Sequence, residues 1–132
     1  EAIEDAKKNA ALNECKNIFF MAGDTAKLIN SIHEKPNMII VDPPRAGLSD
    51  KAIQNILDTL RNNGIGRGGI NPTSTVRNGF SQKIIYVSCN PTTLARDLKI
   101  FCESGFKLQK VQPVDMFPHT YHVENIAILE KK

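Results

Sequence analysis

Short apolar runs alternate with amphipathic stretches of helical period along most of this chain of 132 residues. Residues 1–13 are strong helix formers with acidic residues in the first turn and Asn13 near the end, which predicts a helix. Asn17 to Gly23 (NIFFMAG) predicts a short buried strand. Asp24 or Thr25 then caps a helix to about Ile32, and Pro36 breaks the segment. Met38-Ile39-Ile40-Val41 predicts a second buried strand, closed by Asp42-Pro43-Pro44. Lys51 to about Arg61 sets Ile53, Ile56, Leu57 and Leu60 on one face, as a helix capped by Ser49 or Asp50 would. The run Ile84-Ile85-Tyr86-Val87 is rich in β-branched residues and predicts a buried strand. It must stop near Asn90, because Pro91 has no amide hydrogen for a ladder. Thr92 or Thr93 caps a helix to about Glu103, ended by Gly105. Phe106 to Val114 alternates like a strand with one face to the core, and Val123 to Leu129 is the last strand. This order predicts an α/β fold with a mostly parallel sheet. The final two strands follow one another without a helix, so the last one should be antiparallel.

The pattern lapses once. Asn62 to Gln82 is rich in Gly, Asn, Ser and Thr without an apolar period, and reads as a long flexible loop. Its arginines, Arg67 and Arg77, read as solvated charges, and the stretch lacks the Gly-Lys-Ser/Thr ending of a phosphate-binding loop. One domain covering residues 1–132 accommodates all of this. A net charge of +3 permits contact with a polyanion without requiring it. No apolar run is long enough to span a bilayer, and no signal segment opens the chain. Cys15, Cys89 and Cys102 are too few and too irregularly spaced for a disulfide framework or a zinc site, so a reducing cytoplasm is the expected compartment. The chain starts in helical sequence without an initiator methionine, and we expect it to be part of something longer.

Candidate chemistry gathers where strands end. Cys89 stands at the carboxyl edge of the Ile84–Val87 run, and Asp42 stands at the carboxyl edge of Met38–Val41. In open α/β sheets ligands bind along that rim, and neighbouring parallel strands would bring both residues to it. The ordinary alternatives are a small buried thiol and a turn-capping carboxylate. The two prolines after Asp42 weaken the second, since they hold the chain extended. Glu124 opens the last strand between apolar neighbours, an unusual place for a carboxylate with only a structural role. The spacing His119-x-x-His122-x-Glu124 matches neither a zinc protease helix nor a Cys/His zinc pattern, so no metal is expected.

Asp42-Pro43-Pro44-Arg45-Ala46-Gly47-Leu48, Ser88-Cys89-Asn90-Pro91 and Asp115-Met116-Phe117-Pro118-His119-Thr120-Tyr121-His122-Val123-Glu124 together resemble the RNA uracil-C5 methyltransferases. The three motifs occur in that family's order and cover the chain from Asp42 to its end, and Glu1 to Asp24 resembles the family's segment after the glycine-rich cofactor loop. The resemblance implies a Rossmann-like class I methyltransferase sheet and 5-methyluridine formation in transfer or ribosomal RNA from S-adenosylmethionine. It also implies that Cys89 is the nucleophile, Glu124 the base that takes the C5 proton, and Asp42 a residue at the junction of cofactor and target base. Asp24 stands where such enzymes contact the adenine, while Arg45 is left without a role and His122 orients the Glu124 turn.

The family's glycine-rich loop, the acidic ribose-binding residue and the RNA-binding amino-terminal portion are missing here. The expected fold is therefore N-terminally incomplete, and the segment alone should bind cofactor poorly and be inactive. The Asn62–Gln82 insertion is also longer than the family pattern leads us to expect. Two other readings stay open. One is an amino-group methyltransferase built on Asp-Pro-Pro, and the other a non-catalytic RNA-binding module.

Overall fold

The computed structural model describes residues 1–32, 36–61 and 81–132. The elements are α1 (Ala2–Leu12), α2 (Thr25–Leu28) with a 3-10 turn at Ile29–Ser31, β1 (Met38–Val41), α3 (Asp50–Arg61), β2 (Lys83–Ser88), α4 (Pro91–Glu103), β3 (Phe106–Val114) and β4 (Glu124–Lys131). The strands form one sheet in the order β1-β2-β4-β3. β1 and β2 pair in parallel, whereas β4 is antiparallel to both β2 and β3. Three strands thus share one direction and the last runs against them, slotted between β2 and β3 rather than added at an edge. This is the expected α/β sheet with an antiparallel last strand.

The period-2 pattern of β2 and β4 decides which face is dry. Ile84, Tyr86 and Ser88 on β2 are buried, as are their register partners Leu129, Ala127 and Asn125 on β4. α3 and α4 cover this face. Ile53, Ile56, Leu57 and Leu60 form the inward stripe of α3, and Leu94, Leu98 and Phe101 that of α4. Phe101 meets Phe106 edge to face with ring centroids 6.4 Å apart, closing the core under the turn into β3. Gly105 makes that turn at φ +97°, a conformation that side-chain-bearing residues disfavour.

Several expectations need correcting. Asn17–Gly23 is not a strand: Phe19 is 96% exposed and no strand pairs with the segment among the described residues. An apolar run becomes a strand only where a neighbouring strand takes its backbone hydrogen bonds. The helix expected over residues 1–13 does form, as α1, and has no buried residue. β1 forms at the expected residues, but as an end strand of the described sheet it leaves Ile40 65% exposed. β3 does not turn one side to the core, because it is the other end strand and only Phe106 is buried. Its alternation is also interrupted by a register shift between Leu108 and Lys110. The cap of α4 is Asn90, whose side chain accepts from the Thr92 amide at 3.0 Å, rather than Thr92 or Thr93. Pro91 at the first helical position suits that cap, since its missing amide hydrogen would have had no partner. The loop expected over Asn62–Gln82 lies outside the described residues except for Ser81 and Gln82.

Candidate active site

Strand direction brings the three motifs together. β1 pairs Val41 with Tyr86, so Asp42 leaves the sheet beside the end of β2. β2 pairs Ser88 with Asn125 on the antiparallel β4. One step further along that register sets Cys89, which follows β2, opposite Glu124, the first residue of β4. A residue that ends a parallel strand and one that begins an antiparallel strand thus reach the same rim. Cys89 is a partly buried free thiol, Glu124 is partly buried, and Asp42 is exposed.

Asp24 is placed differently. Its carboxylate caps α2, accepting from the Ala26 amide at 2.9 Å, as the helix-start pattern predicts. α2 is tied to α3 through Asn55, whose side-chain amide donates to the Ala26 carbonyl. Among the described residues no hydrogen bond links Asp24 to the rim.

The loop after Asp42 is built tightly. Gly47 donates to the Pro44 carbonyl at 2.8 Å, closing a turn, and takes φ +77°. The backbone of this turn is bonded to α4, which starts two residues after Cys89. Asn90 and Thr93 donate to the Arg45 carbonyl, each at 3.2 Å. Arg96 donates to the carbonyls of Ala46 and Leu48 at 3.1 and 3.0 Å. Asp97, 0% exposed, accepts from the Leu48 amide at 2.8 Å and from the Tyr86 hydroxyl at 2.5 Å. Its other oxygen is held by Arg96, whose Nε donates at 2.8 Å.

Electrostatics follow from this arrangement. Burial, then the hydrogen bond to Asp97 and its charge, push the Tyr86 phenol well above its ordinary range. Asp97 likewise raises the already high pKa of the Arg96 guanidinium, first through their hydrogen bond. A buried carboxylate held by a cation and two further donors is the form in which such a charge is tolerated inside a protein. Sequence reading missed Asp97 and Arg96. An Arg-Asp pair in a helix resembles a solvated surface pair, and the only available sign was an acidic residue on the apolar face of α4, three residues after Leu94.

A second bridge joins the Asp42 loop to the segment before Glu124. Arg45 Nη2 lies 2.9 Å from Nδ1 of His122, and the Tyr121 ring tilts over His122 with centroids 4.1 Å apart. Arg45, given no role from sequence, and His122, expected to orient the Glu124 turn, therefore connect two of the three motifs. An open depression of about 490 Å³ lies elsewhere, between α1 and the segment reaching Phe20, lined by Lys7, Ala10, Glu14 and Cys15 among others. It holds none of the rim residues, and the chemistry of the rim is the better guide to a site.

Comparison with known proteins identifies the family. Residues 64–132 match the model of the tRNA (Uracil-5-)-methyltransferase family. An uncharacterized RNA methyltransferase of Caldanaerobacter subterraneus subsp. tengcongensis is 45% identical over 131 residues, 99% of this chain and 25% of that protein. An uncharacterized RNA methyltransferase of Bacteroides thetaiotaomicron is 45% identical over 137 residues, 98% of this chain and 25% of its own length. The crystal structure of the Pyrococcus abyssi tRNA (uracil-54, C5)-methyltransferase in complex with S-adenosyl-L-homocysteine superimposes with a TM-score of 0.66 at 31% identity, covering 97% of this chain and 26% of that one. The chain therefore spans about a quarter of the length of the relatives it matches. With the family model matching just over half of its residues, this chain belongs to the tRNA (uracil-5-)-methyltransferase family.

Proposed function

We propose that this chain carries the reactive rim of an RNA methyltransferase that places a methyl group on C5 of a uridine in transfer or ribosomal RNA, through a covalent cysteine adduct. The observation that carries the reading is the opposition of Cys89 and Glu124 across the continued β2–β4 register, with Asp42 leaving β1 alongside. Free thiols suit a reducing compartment, the cytoplasm.

The chemistry needs a nucleophile and a base close together. C5 of uracil is a poor nucleophile by itself. Addition of the Cys89 thiolate to C6 moves the ring's electron pair onto C5 as an enolate, which can then be methylated. Glu124 takes the C5 proton afterwards, the double bond reforms, and the C6–S bond breaks to return the thiolate. A carboxylate opposite the sulfur acts on the same ring that the sulfur has attacked.

S-adenosylmethionine, when bound, supplies the electrophilic methyl group. The residues present fit it: Asp42 offers an exposed acceptor-only carboxylate to its cationic and hydroxyl groups, and Asp24 commits one carboxylate oxygen to the α2 cap, leaving the other for a donor such as an exocyclic amine. Asp42 and Asp24 are the residues of this chain that would hold it.

The test uses the polypeptide as encoded, incubated with S-adenosylmethionine and RNA containing 5-fluorouridine. Fluorine cannot leave C5 as a proton does, so the adduct should persist. Mass spectrometry should find RNA attached at Cys89, and nothing in Cys89→Ala. Methyl transfer without an adduct would transfer the assignment to an amino-group methyltransferase. Absence of both on transfer and ribosomal RNA would leave a non-catalytic RNA-binding module.

A further inference from the structure

We infer that Asp97 and Arg96 are positioning residues that clamp the Ala46–Leu48 turn onto α4 and so fix where Asp42 stands relative to Cys89. The inference rests on the proposed reaction and extends it to residues away from the reacting atoms.

The clamp adds to the β1–β2 pairing, which ends at Val41 and Tyr86, a second connection between the two loops beyond the strand ends. Asp42 follows β1, which ends at Val41, and Cys89 follows β2. The next residues of both loops are cross-linked. The carbonyls of Arg45, Ala46 and Leu48 and the amide of Leu48 are all bonded to side chains of Asn90, Thr93, Arg96 and Asp97. Asp97 also reaches back to Tyr86, two residues before Ser88 on the strand that delivers Cys89. One buried carboxylate thus references the turn to the strand carrying the thiol. Charge-assisted bonds to backbone are the strong kind, and the planar Arg96 guanidinium aims Nη2 at both carbonyls while Nε holds Asp97, which fixes direction as well as distance.

Gly47 shows how closely the parts fit. A Cβ built there would lie 2.7 Å from Asp97 Oδ2, 2.8 Å from Arg96 Nη2 and 3.1 Å from Thr93 Cβ. A side chain at this position would force the turn, or the Asp97 and Arg96 groups that hold it, to shift. The φ of +77° adds strain for an alanine.

Three variants of the polypeptide as encoded test the inference: Asp97→Asn, Arg96→Gln and Gly47→Ala. None touches the reacting atoms. Displacing catalytic groups by about 1 Å costs on the order of 100-fold in rate. We therefore expect methyl transfer at saturating RNA and S-adenosylmethionine to fall by about 10- to 100-fold per folded molecule. RNA affinity should change by less than about threefold, which is under 1 kcal/mol. Arg96→Lys, which keeps the charge but not the separate Nε and Nη2 donors, should recover part of the rate. A merely structural defect would lower rate and RNA binding together with the folded fraction, measured by circular dichroism below each variant's melting point. Should Asp97→Asn fail to fold, Arg96→Gln decides, because its side chain is half-exposed and its removal leaves no cavity in the core. Wild-type turnover per folded molecule in Arg96→Gln and Gly47→Ala would overturn the clamp and leave the reaction intact. A wild-type protein with neither methyl transfer nor adduct would overturn the reaction and the clamp's role with it.

Discussion

Tyr86→Phe is the sharpest test of the buried network, because it removes one oxygen and nothing else. The ring is fully buried and stays in place, so no cavity forms. What disappears is a hydroxyl donating to the buried Asp97 carboxylate at 2.5 Å. A hydrogen bond to a charged group contributes about 1.5–3 kcal/mol, and that is the expected loss in urea unfolding at about pH 8. The pH dependence makes the prediction stricter. Burial and the Asp97 contact hold the folded phenol neutral beyond its ordinary pKa of 10.0, whereas the unfolded chain ionises near that value. The stability due to Tyr86 is therefore fully present below about pH 10 and is lost as pH rises towards the folded pKa. The loss approaches about 1.4 kcal/mol for each pH unit above the unfolded pKa. At about pH 11 the wild type should have lost about 1.4 kcal/mol that Tyr86→Phe, having no phenol there, does not lose. The gap between the two proteins should narrow accordingly. A gap under about 0.5 kcal/mol at neutral pH, or one that stays constant into the alkaline range, would refute the role given to the Tyr86–Asp97 bond.

Other outcomes are equally open to measurement. Glu124→Gln should form the Cys89 adduct on ordinary uridine RNA and then stall, with adduct accumulating while product formation drops by about 100-fold or more; loss of the adduct as well would mean that the glutamate acts before proton removal. Leu57→Ala should cost about 2–5 kcal/mol in denaturant unfolding, since its side chain is 1% exposed and faces the sheet. Asn90→Ala should cost about 1 kcal/mol through the lost cap of α4, and it also frees one bond to Arg45, so activity should fall more than stability alone explains.

How far the sequence could be read depended on whether a residue's partner is local or distant. The α3 stripe Ile53, Ile56, Leu57 and Leu60 was legible because helical period is a local property. β2 was legible because a β-branched run ending at a proline leaves few alternatives. Asn17–Gly23 has the same local appearance, yet no neighbouring strand joins it among the described residues, and pairing is not written in the run itself. β3 failed in the same way. Its alternation says that two faces differ, not that one of them will be covered, and an end position in the sheet decided the matter. Asn90 was misread in favour of Thr92 and Thr93, although a proline at the first helical position points to the residue before it as the cap.

The reactive rim itself follows from one topological inference. Cys89 and Asp42 end strands, whereas Glu124 begins one, so an all-parallel sheet would send the glutamate to the opposite edge. Only an antiparallel last strand returns it to the thiol, and the absence of a helix between β3 and β4 is what required that direction. The motifs thus single out the residues proposed to react, and strand direction brings them together. The network inferred to aim them was hidden. Asp97 sits 0% exposed where one carboxylate receives Leu48, Tyr86 and Arg96 at once, and those donors come from a turn, a strand and a helix. No window of sequence contains all three, so this network is a property of the folded chain.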